Sequence, residues 1–91
     1  MIFYDINNNP IEIVEAIKYR GIESLPQNTE QGVMPFSVNV NIPFGSYTLP
    51  QYSKGIMVCS GNDAILLAVD PSGDLYTAFR NTRNWGNYQK K

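Results

Sequence analysis

The sequence has no histidine, a single cysteine and few charged residues, and each shortage excludes a class of chemistry. Without histidine the chain lacks the side chain that most often serves as general base, proton shuttle or metal ligand. One cysteine excludes an internal disulfide and a cysteine-rich zinc site. A catalytic cysteine needs a neighbouring base, so Cys59 is predicted to be a small buried side chain inside a strand. We therefore expect a protein that is not an enzyme and has no cofactor or metal ligand.

Charged residues make up 16% of the chain and the net charge is −1, so we expect no general attraction to nucleic acid or to a membrane surface. A run of 18 apolar residues that could span a membrane does not occur in the sequence. The first ten residues lack the basic and apolar regions of a signal peptide. Residues 80–91 contain four basic residues and no acidic one, and these basic side chains are predicted to be solvated: Arg80, Arg83, Lys90 and Lys91.

The remaining composition is that of one small folded domain spanning residues 1–91. Apolar residues make up 43% of the chain and aromatic residues 12%, which argues against intrinsic disorder. Residues 2–6 are predicted to form a strand, and residues 22–36 a long loop rich in turn residues. Residues 10–20 fit either a short helix, which Pro10 would begin, or a strand with partial alternation.

From residue 37 onward the pattern is that of β-structure. Residues 37–42 alternate and are predicted to be a strand that Pro43 ends, and residues 44–49 a second short strand. Residues 55–89 then predict an antiparallel meander of three or four strands, with turns at residues 61–63, 70–73 and 80–84. The apolar run at residues 64–70 predicts a central strand covered on both faces. The predicted fold is mainly β, a small antiparallel sheet or sandwich with a C-terminal meander and at most one short N-terminal helix.

Three aspartates are the acids of the C-terminal half, and two of them flank one turn: Asp63, Asp70 and Asp74. Paired catalytic carboxylates face each other across a cleft, whereas turn aspartates are usually exposed and bond to their own backbone. We expect the second arrangement. Calcium binding by these three residues and Asn62 stays an alternative, although their spacing matches no calcium loop.

Aromatic and amide side chains are concentrated near the end of the chain, and the sequence contains ten asparagines. Aromatic rings stack on the apolar faces of sugars, and amides bond to sugar hydroxyls. The candidate ligand-binding residues are therefore Trp85, Tyr88, Tyr76, Asn81, Asn84 and Arg83. For Trp85 the alternative is a core position in which its indole N–H bonds to a nearby carbonyl.

Residues 55–88 contain a glycine-led strand, an apolar strand, a short turn, a strand ending in arginine, and a tryptophan followed three residues later by another aromatic. The residues concerned are Gly55-Ile56-Met57-Val58, Gly73-Asp74-Leu75-Tyr76, Arg80 and Asn84-Trp85-Gly86-Asn87-Tyr88. This succession resembles the end of knob-like domains in bacteriophage tail fibres and related bacteriocin fibres. Upstream, Tyr19-Arg20-Gly21, Leu25-Pro26-Gln27-Asn28-Thr29 and Gly45-Ser46-Tyr47 resemble earlier segments of that family, so the resemblance covers roughly residues 18–91.

The resemblance implies a structural and receptor-binding module at the distal end of a fibre. It implies a homo-trimer in the tail of a virion that binds a cell-surface glycan or protein. The alternative function is a small phage-encoded protein–protein interaction factor, such as an inhibitor of a host protein, acting in the host cytoplasm. Such a factor would use the predicted loop at residues 22–36 or an edge strand to pair with its partner.

Overall fold

The computed structural model describes residues 2–4, 7, 10–12 and 19–91, and every regular element in this part is a β-strand. The prediction of a mainly β fold is thereby confirmed. Within these residues there is no helix of the length and apolarity that a membrane crossing requires. The strands are β1 Ile2–Tyr4, β2 Pro10–Glu12, β3 Arg20–Ile22, β4 Gly32–Val38, β5 Ile42–Phe44, β6 Tyr47–Leu49, β7 Lys54–Ser60, β8 Asp63–Val69, β9 Leu75–Asn81 and β10 Asn84–Lys90.

The predicted meander forms four adjacent strands of a six-stranded sheet, in the order β10-β9-β8-β7-β4-β3. Neighbours from β10 to β4 are antiparallel, and β3 joins β4 in parallel, which makes the sheet mixed. The turn after β8 closes as predicted, because Gly73 N–H donates to the Asp70 carbonyl at 2.9 Å. The connections within the meander are short, so sequence-adjacent strands become spatial neighbours.

The N-terminal strands form a separate two-stranded antiparallel sheet, in which β1 pairs with β2. The strand predicted at residues 2–6 is present over Ile2–Tyr4, and residues 5 and 6 lie outside the described residues. Of the segment open to helix or strand, residues 10–12 are strand. Residues 13–18 lie outside the described residues.

The long loop predicted at residues 22–36 is wrong in its second part, because β4 begins at Gly32 and contains Pro35. Proline lacks a backbone N–H and is tolerated where a strand has an open edge. Strand β3 pairs with β4 from Phe36 onward, so β4 has such an edge at Pro35. The loop that remains spans residues 23–31.

The strand predicted at residues 37–42 is also wrong, since β4 ends at Val38 and β5 begins at Ile42. The Val38 carbonyl accepts from Tyr52 N–H at 2.8 Å, and the chain turns away from the sheet there. Pro43 does not end a strand but lies inside β5, which pairs with β6 in a two-stranded hairpin with open edges.

The main core lies between one face of the six-stranded sheet and the β5–β6 hairpin. We call the face of the sheet that points to this core the inner face. Every second residue along a strand belongs to it, as Tyr76 and Ala78 do on β9. Phe44 of the hairpin meets the Tyr76 ring edge to face, with 5.8 Å between ring centroids. The buried apolar residues of this core are Ile22, Phe36, Val38, Ile42, Phe44, Leu49, Leu66, Ala68, Tyr76 and Ala78.

The opposite face of the sheet, which we call the outer face, is largely exposed. Strand β8 was predicted to be covered on both faces, but its outer residues Ile65 and Val69 are 39% and 47% exposed. That prediction is wrong because the described part of the chain contributes one covering layer, the hairpin side. The apolar run in β8 therefore indicates an apolar outer surface.

Asp70 lies at the end of β8 and is buried, contrary to the exposed position expected for a turn aspartate. Its Oδ1 accepts from Ser72 N–H and Asp74 N–H, both at 2.9 Å. Its Oδ2 accepts from the Tyr76 hydroxyl at 2.8 Å. Burial raises the pKa of the Asp70 carboxyl, but the hydrogen bonds from Asp74, Tyr76 and Ser72 together hold that pKa below its usual value. The predicted bonding of a turn aspartate to its own backbone is confirmed.

We expect the Asp70 carboxylate to make the stability of the fold depend on pH. A carboxyl whose pKa is lower in the folded state stabilises the fold above its unfolded pKa of about 3.9. That contribution is lost as the pH falls through the folded pKa. The Asp70→Asn variant should have a melting temperature that falls less between pH 5 and 2 than that of the wild type, as measured by circular dichroism. Equal slopes for the two proteins would contradict this role.

Candidate functional site: the turn between the last two strands

The turn joining β9 to β10 presents three of the six predicted ligand-binding residues, Asn81, Arg83 and Asn84, in exposed positions. We call residues 81–84 the tip. Asn81 and Asn84 are register partners, so Thr82 and Arg83 form a two-residue turn. These two residues have φ of 49° and 72°, in the left-handed region that suits the twist of a hairpin. Such values are uncommon outside glycine, above all for a β-branched residue.

Two hydrogen bonds hold this strained turn against the turn between β7 and β8. Thr82 N–H donates to Asp63 Oδ1 at 3.0 Å, and Arg83 N–H donates to the Asn62 carbonyl at 3.1 Å. Uncommon backbone geometry persists where the surroundings determine it from several sides. The tip is therefore a held surface and not a free loop end.

Arg80 lies fully buried directly below the tip. Its Nε donates to the Asn62 carbonyl at 3.0 Å, its Nη1 to the Pro26 carbonyl at 3.1 Å, and its Nη2 to the Gly61 carbonyl at 2.9 Å. The same Nη2 lies 3.3 Å from Cys59 Sγ. The guanidinium thus connects β9, the β7–β8 turn and the loop at residues 23–31. The prediction that Arg80 is solvated in a turn is wrong.

The buried position of Arg80 has a signal in the sequence, although residues 80–84 were predicted to be a turn. Tyr76, Ala78 and Arg80 follow each other at a spacing of two, which places all three on one face of a strand. The burial pattern of β9 has that alternation. Pro26 and Asn62, whose carbonyls accept from Arg80, carry no signal in the sequence because they contribute backbone atoms.

Trp85 is partly buried against the core, which is the alternative position proposed for it. Its Nε1 donates to the Pro26 carbonyl at 2.8 Å. Arg80 Cζ lies over the ring, 5.6 Å from its centroid, so one ring face is occupied by a cation. Trp85 therefore holds the loop at residues 23–31 in place.

The two predicted tyrosines lie away from the tip and pack on the inner face. Tyr76 is 2% exposed, and its hydroxyl is bonded to Asp70, so it cannot stack on a ligand from solvent. Tyr88 is half-buried against Phe44, with 4.8 Å between ring centroids. Burial thus takes Tyr76 out of the candidate surface, and Tyr88 contributes mainly to the core.

The candidate calcium ligands are not brought together. Asp63 and Asp70 stand at the two ends of β8, whose seven residues separate them by about 20 Å. Asp74 lies at the Asp70 end and forms a salt bridge of 3.7 Å with Lys90. Among the described residues, no group of three or more ligating side chains could hold a metal ion. The alternative of a shared calcium site is wrong.

Comparison with known proteins gives no relative: no family model matches the chain, and neither a curated protein nor a solved structure does.

Proposed function

We propose that this chain is a non-enzymatic structural and receptor-binding module of the phage tail-fibre kind, with the tip as its receptor-binding surface. The observation that carries the proposal is the exposed Asn81–Arg83–Asn84 group on a turn held by Asp63 and Asn62. A surface ordered before binding loses less conformational entropy when a ligand arrives. This favours recognition over a merely connecting turn.

The chemistry of the tip suits a polyhydroxylated ligand such as a cell-surface glycan. Each asparagine amide offers two donors, Asn84 also offers an acceptor, and the Arg83 guanidinium offers five donors. The Asn81 Oδ1 already accepts from the Thr82 hydroxyl at 3.0 Å. Sugar hydroxyls can donate and accept, so they match this mixture. Single sugar sites are weak, and several copies of the chain would raise the apparent affinity through avidity. The homo-trimer implied by the resemblance is one such arrangement, in the tail of a virion.

Glycan-array binding tests the proposal with a bacterial array of lipopolysaccharide and capsular oligosaccharides. We expect the wild type to bind at least one array component. The Asn81→Ala/Asn84→Ala variant should bind that component at least tenfold more weakly, because it removes four amide donors and the Asn84 acceptor from the tip. Its melting temperature should stay within a few degrees of the wild-type value, because both side chains are exposed.

A matched control is Gln51→Ala, which removes an exposed amide in the turn between β6 and β7, at the other end of the sheet from the tip. This variant should bind as the wild type does. Equal loss of binding in both variants, or unchanged binding in the tip variant, would contradict a site at the tip. Absence of binding to any array component would favour the alternative function, a phage-encoded factor that recognises a host protein.

A further inference from the structure

The outer face of the six-stranded sheet carries two rows of side chains that continue from strand to strand. The pairing aligns the residues of each row across β4, β7, β8 and β9. Neither row contains a charged residue. The first row is Val33, Val58, Ile65 and Phe79, and the second is Pro35, Ile56, Leu67 and Thr77.

These rows, with Val69 beside them, form a continuous apolar surface on the outer face. Val33 is 63% exposed, Val69 is 47% exposed, and four further members are exposed by 38–40%: Ile56, Val58, Ile65 and Phe79. Together these six side chains expose roughly 500 Å², in the upper part of the range of about 300–600 Å² for the largest patch of a typical monomer.

The area fits the apolar share of one side of a stable protein interface. A standard interface buries about 800 Å² per partner, of which somewhat more than half is apolar. Interfaces between permanent partners are depleted in charge at their centre, as the two rows are. Flat apolar sheet faces also pack well on each other, at a spacing of about 10 Å.

We propose that the outer face packs against the outer face of a second copy of this chain, with the strands of the two sheets antiparallel. Charge at the ends of the face selects this occupant. Lys54 begins β7 at one end of the rows, and Asp63 begins the adjacent strand β8 at the other end. Both side chains alternate in phase with the outer residues of their strands.

When two copies stack with antiparallel strands, the Lys54 end of each meets the Asp63 end of the other. Each pair therefore forms two unlike-charge contacts around an apolar centre. The face is in this way complementary to itself, which is the requirement for a two-fold interface. The net charge of −1 adds little repulsion between copies.

This pair goes beyond the proposed receptor binding and does not depend on it, because none of the row residues belongs to the tip. It also differs from the homo-trimer that the resemblance implies. Light scattering after size-exclusion chromatography separates the two. At about 100 µM chain we expect a mass near twice 10.3 kDa. A monomer at that concentration overturns the proposal, and a trimer overturns the antiparallel pair.

A double threonine variant and a matched control test whether the outer face is the interface. Val58→Thr/Ile65→Thr keeps β-branched side chains on both strands and places hydroxyls at the centre of the rows. We expect the dimer dissociation constant to rise at least tenfold. The matched control is Val40→Thr, an apolar residue that is 42% exposed in the segment between β4 and β5. Equal dissociation constants for the two variants would overturn the assignment of the face.

A charge pair tests the orientation. Lys54→Glu places a carboxylate opposite Asp63 of the second copy, and we expect at least a threefold rise in the dissociation constant. Adding Asp63→Asn removes the repulsion while its Oδ1 still accepts from Thr82 N–H, so association should recover. Failure of the double variant to recover, with circular dichroism unchanged, would overturn the antiparallel arrangement.

Discussion

Replacing Arg80 with alanine should lower the free energy of unfolding by at least about 3 kcal/mol, the largest loss we expect from a single side chain. The carbonyl oxygens of Pro26, Gly61 and Asn62 would each lose a bond to the guanidinium and keep one other donor, and a hydrogen bond to a charged group contributes about 1.5–3 kcal/mol. The cavity left by the side chain adds to this loss. For a domain of this size the melting temperature should fall by at least about 12 °C.

Arg83→Ala is the matched control for this experiment, because Arg83 lies three residues after Arg80 and its side chain is exposed. We expect it to change the unfolding free energy by no more than about 0.5 kcal/mol. Arg80→Lys should fall between the two, since an ammonium keeps the charge but lacks the planar fork that reaches several carbonyls. Urea unfolding followed by tryptophan fluorescence measures all three. Equal effects of Arg80→Ala and Arg83→Ala would contradict the role of the buried guanidinium.

The Arg80 contacts also concern the proposed function. The guanidinium bonds to the carbonyls of Gly61 and Asn62, in the turn that accepts from the tip backbone. A variant that loosens this turn should loosen the tip. We therefore expect Arg80→Lys, at a temperature where it remains folded, to weaken glycan binding even though its side chain does not reach the surface.

Gly55→Ala should have the second-largest effect, a loss of about 3 kcal/mol in the free energy of unfolding. A Cβ at this position would overlap the Leu67 carbonyl oxygen and lie 2.8 Å from the Ala68 Cα, both in the backbone of β8. A side chain can rotate away from such a contact, but a paired strand cannot. Strands β7 and β8 would have to separate locally in the centre of the sheet.

The control for this substitution is Gly86→Ala in β10. A Cβ there would have no neighbour within 4 Å, and the residue has no left-handed φ. We expect its unfolding free energy to change by less than about 0.5 kcal/mol, since alanine costs little in an open strand position. Urea unfolding of both variants is the measurement, and it compares the unfolding free energy and its slope against urea concentration. A Gly55→Ala protein as stable as Gly86→Ala would show that β7 can move away from β8.

The meander was predictable because its information is local. Alternating apolar residues define strands β7, β8 and β9, and the Asp70-Pro71-Ser72-Gly73 turn has the residues that its backbone requires. The candidate tip was found in part for the same reason, since Asn81, Arg83 and Asn84 lie in a turn between two strands. Tyr76 was included because an aromatic residue gives no sign, by itself, of the face to which it points.

At two prolines the local pattern predicts the wrong structure. It predicts a loop at Pro35 and a strand end at Pro43, yet both residues lie inside strands with an open edge. Whether a proline interrupts a strand depends on whether a neighbour needs its missing N–H. That neighbour is set by sheet order, which no local pattern contains.

The sequence by itself determined the β character, the C-terminal meander and the lack of histidine chemistry, because composition and two-residue periodicity are properties of short segments. Tertiary structure alone decided three further features: the position of β3 beside β4, the carbonyl partners of Arg80, and the exposure of one apolar face of the sheet. Each depends on contacts between residues far apart in the chain, such as Arg80 and Pro26. The energy of such contacts arises only when the strands have assembled, so no segment read alone can specify them.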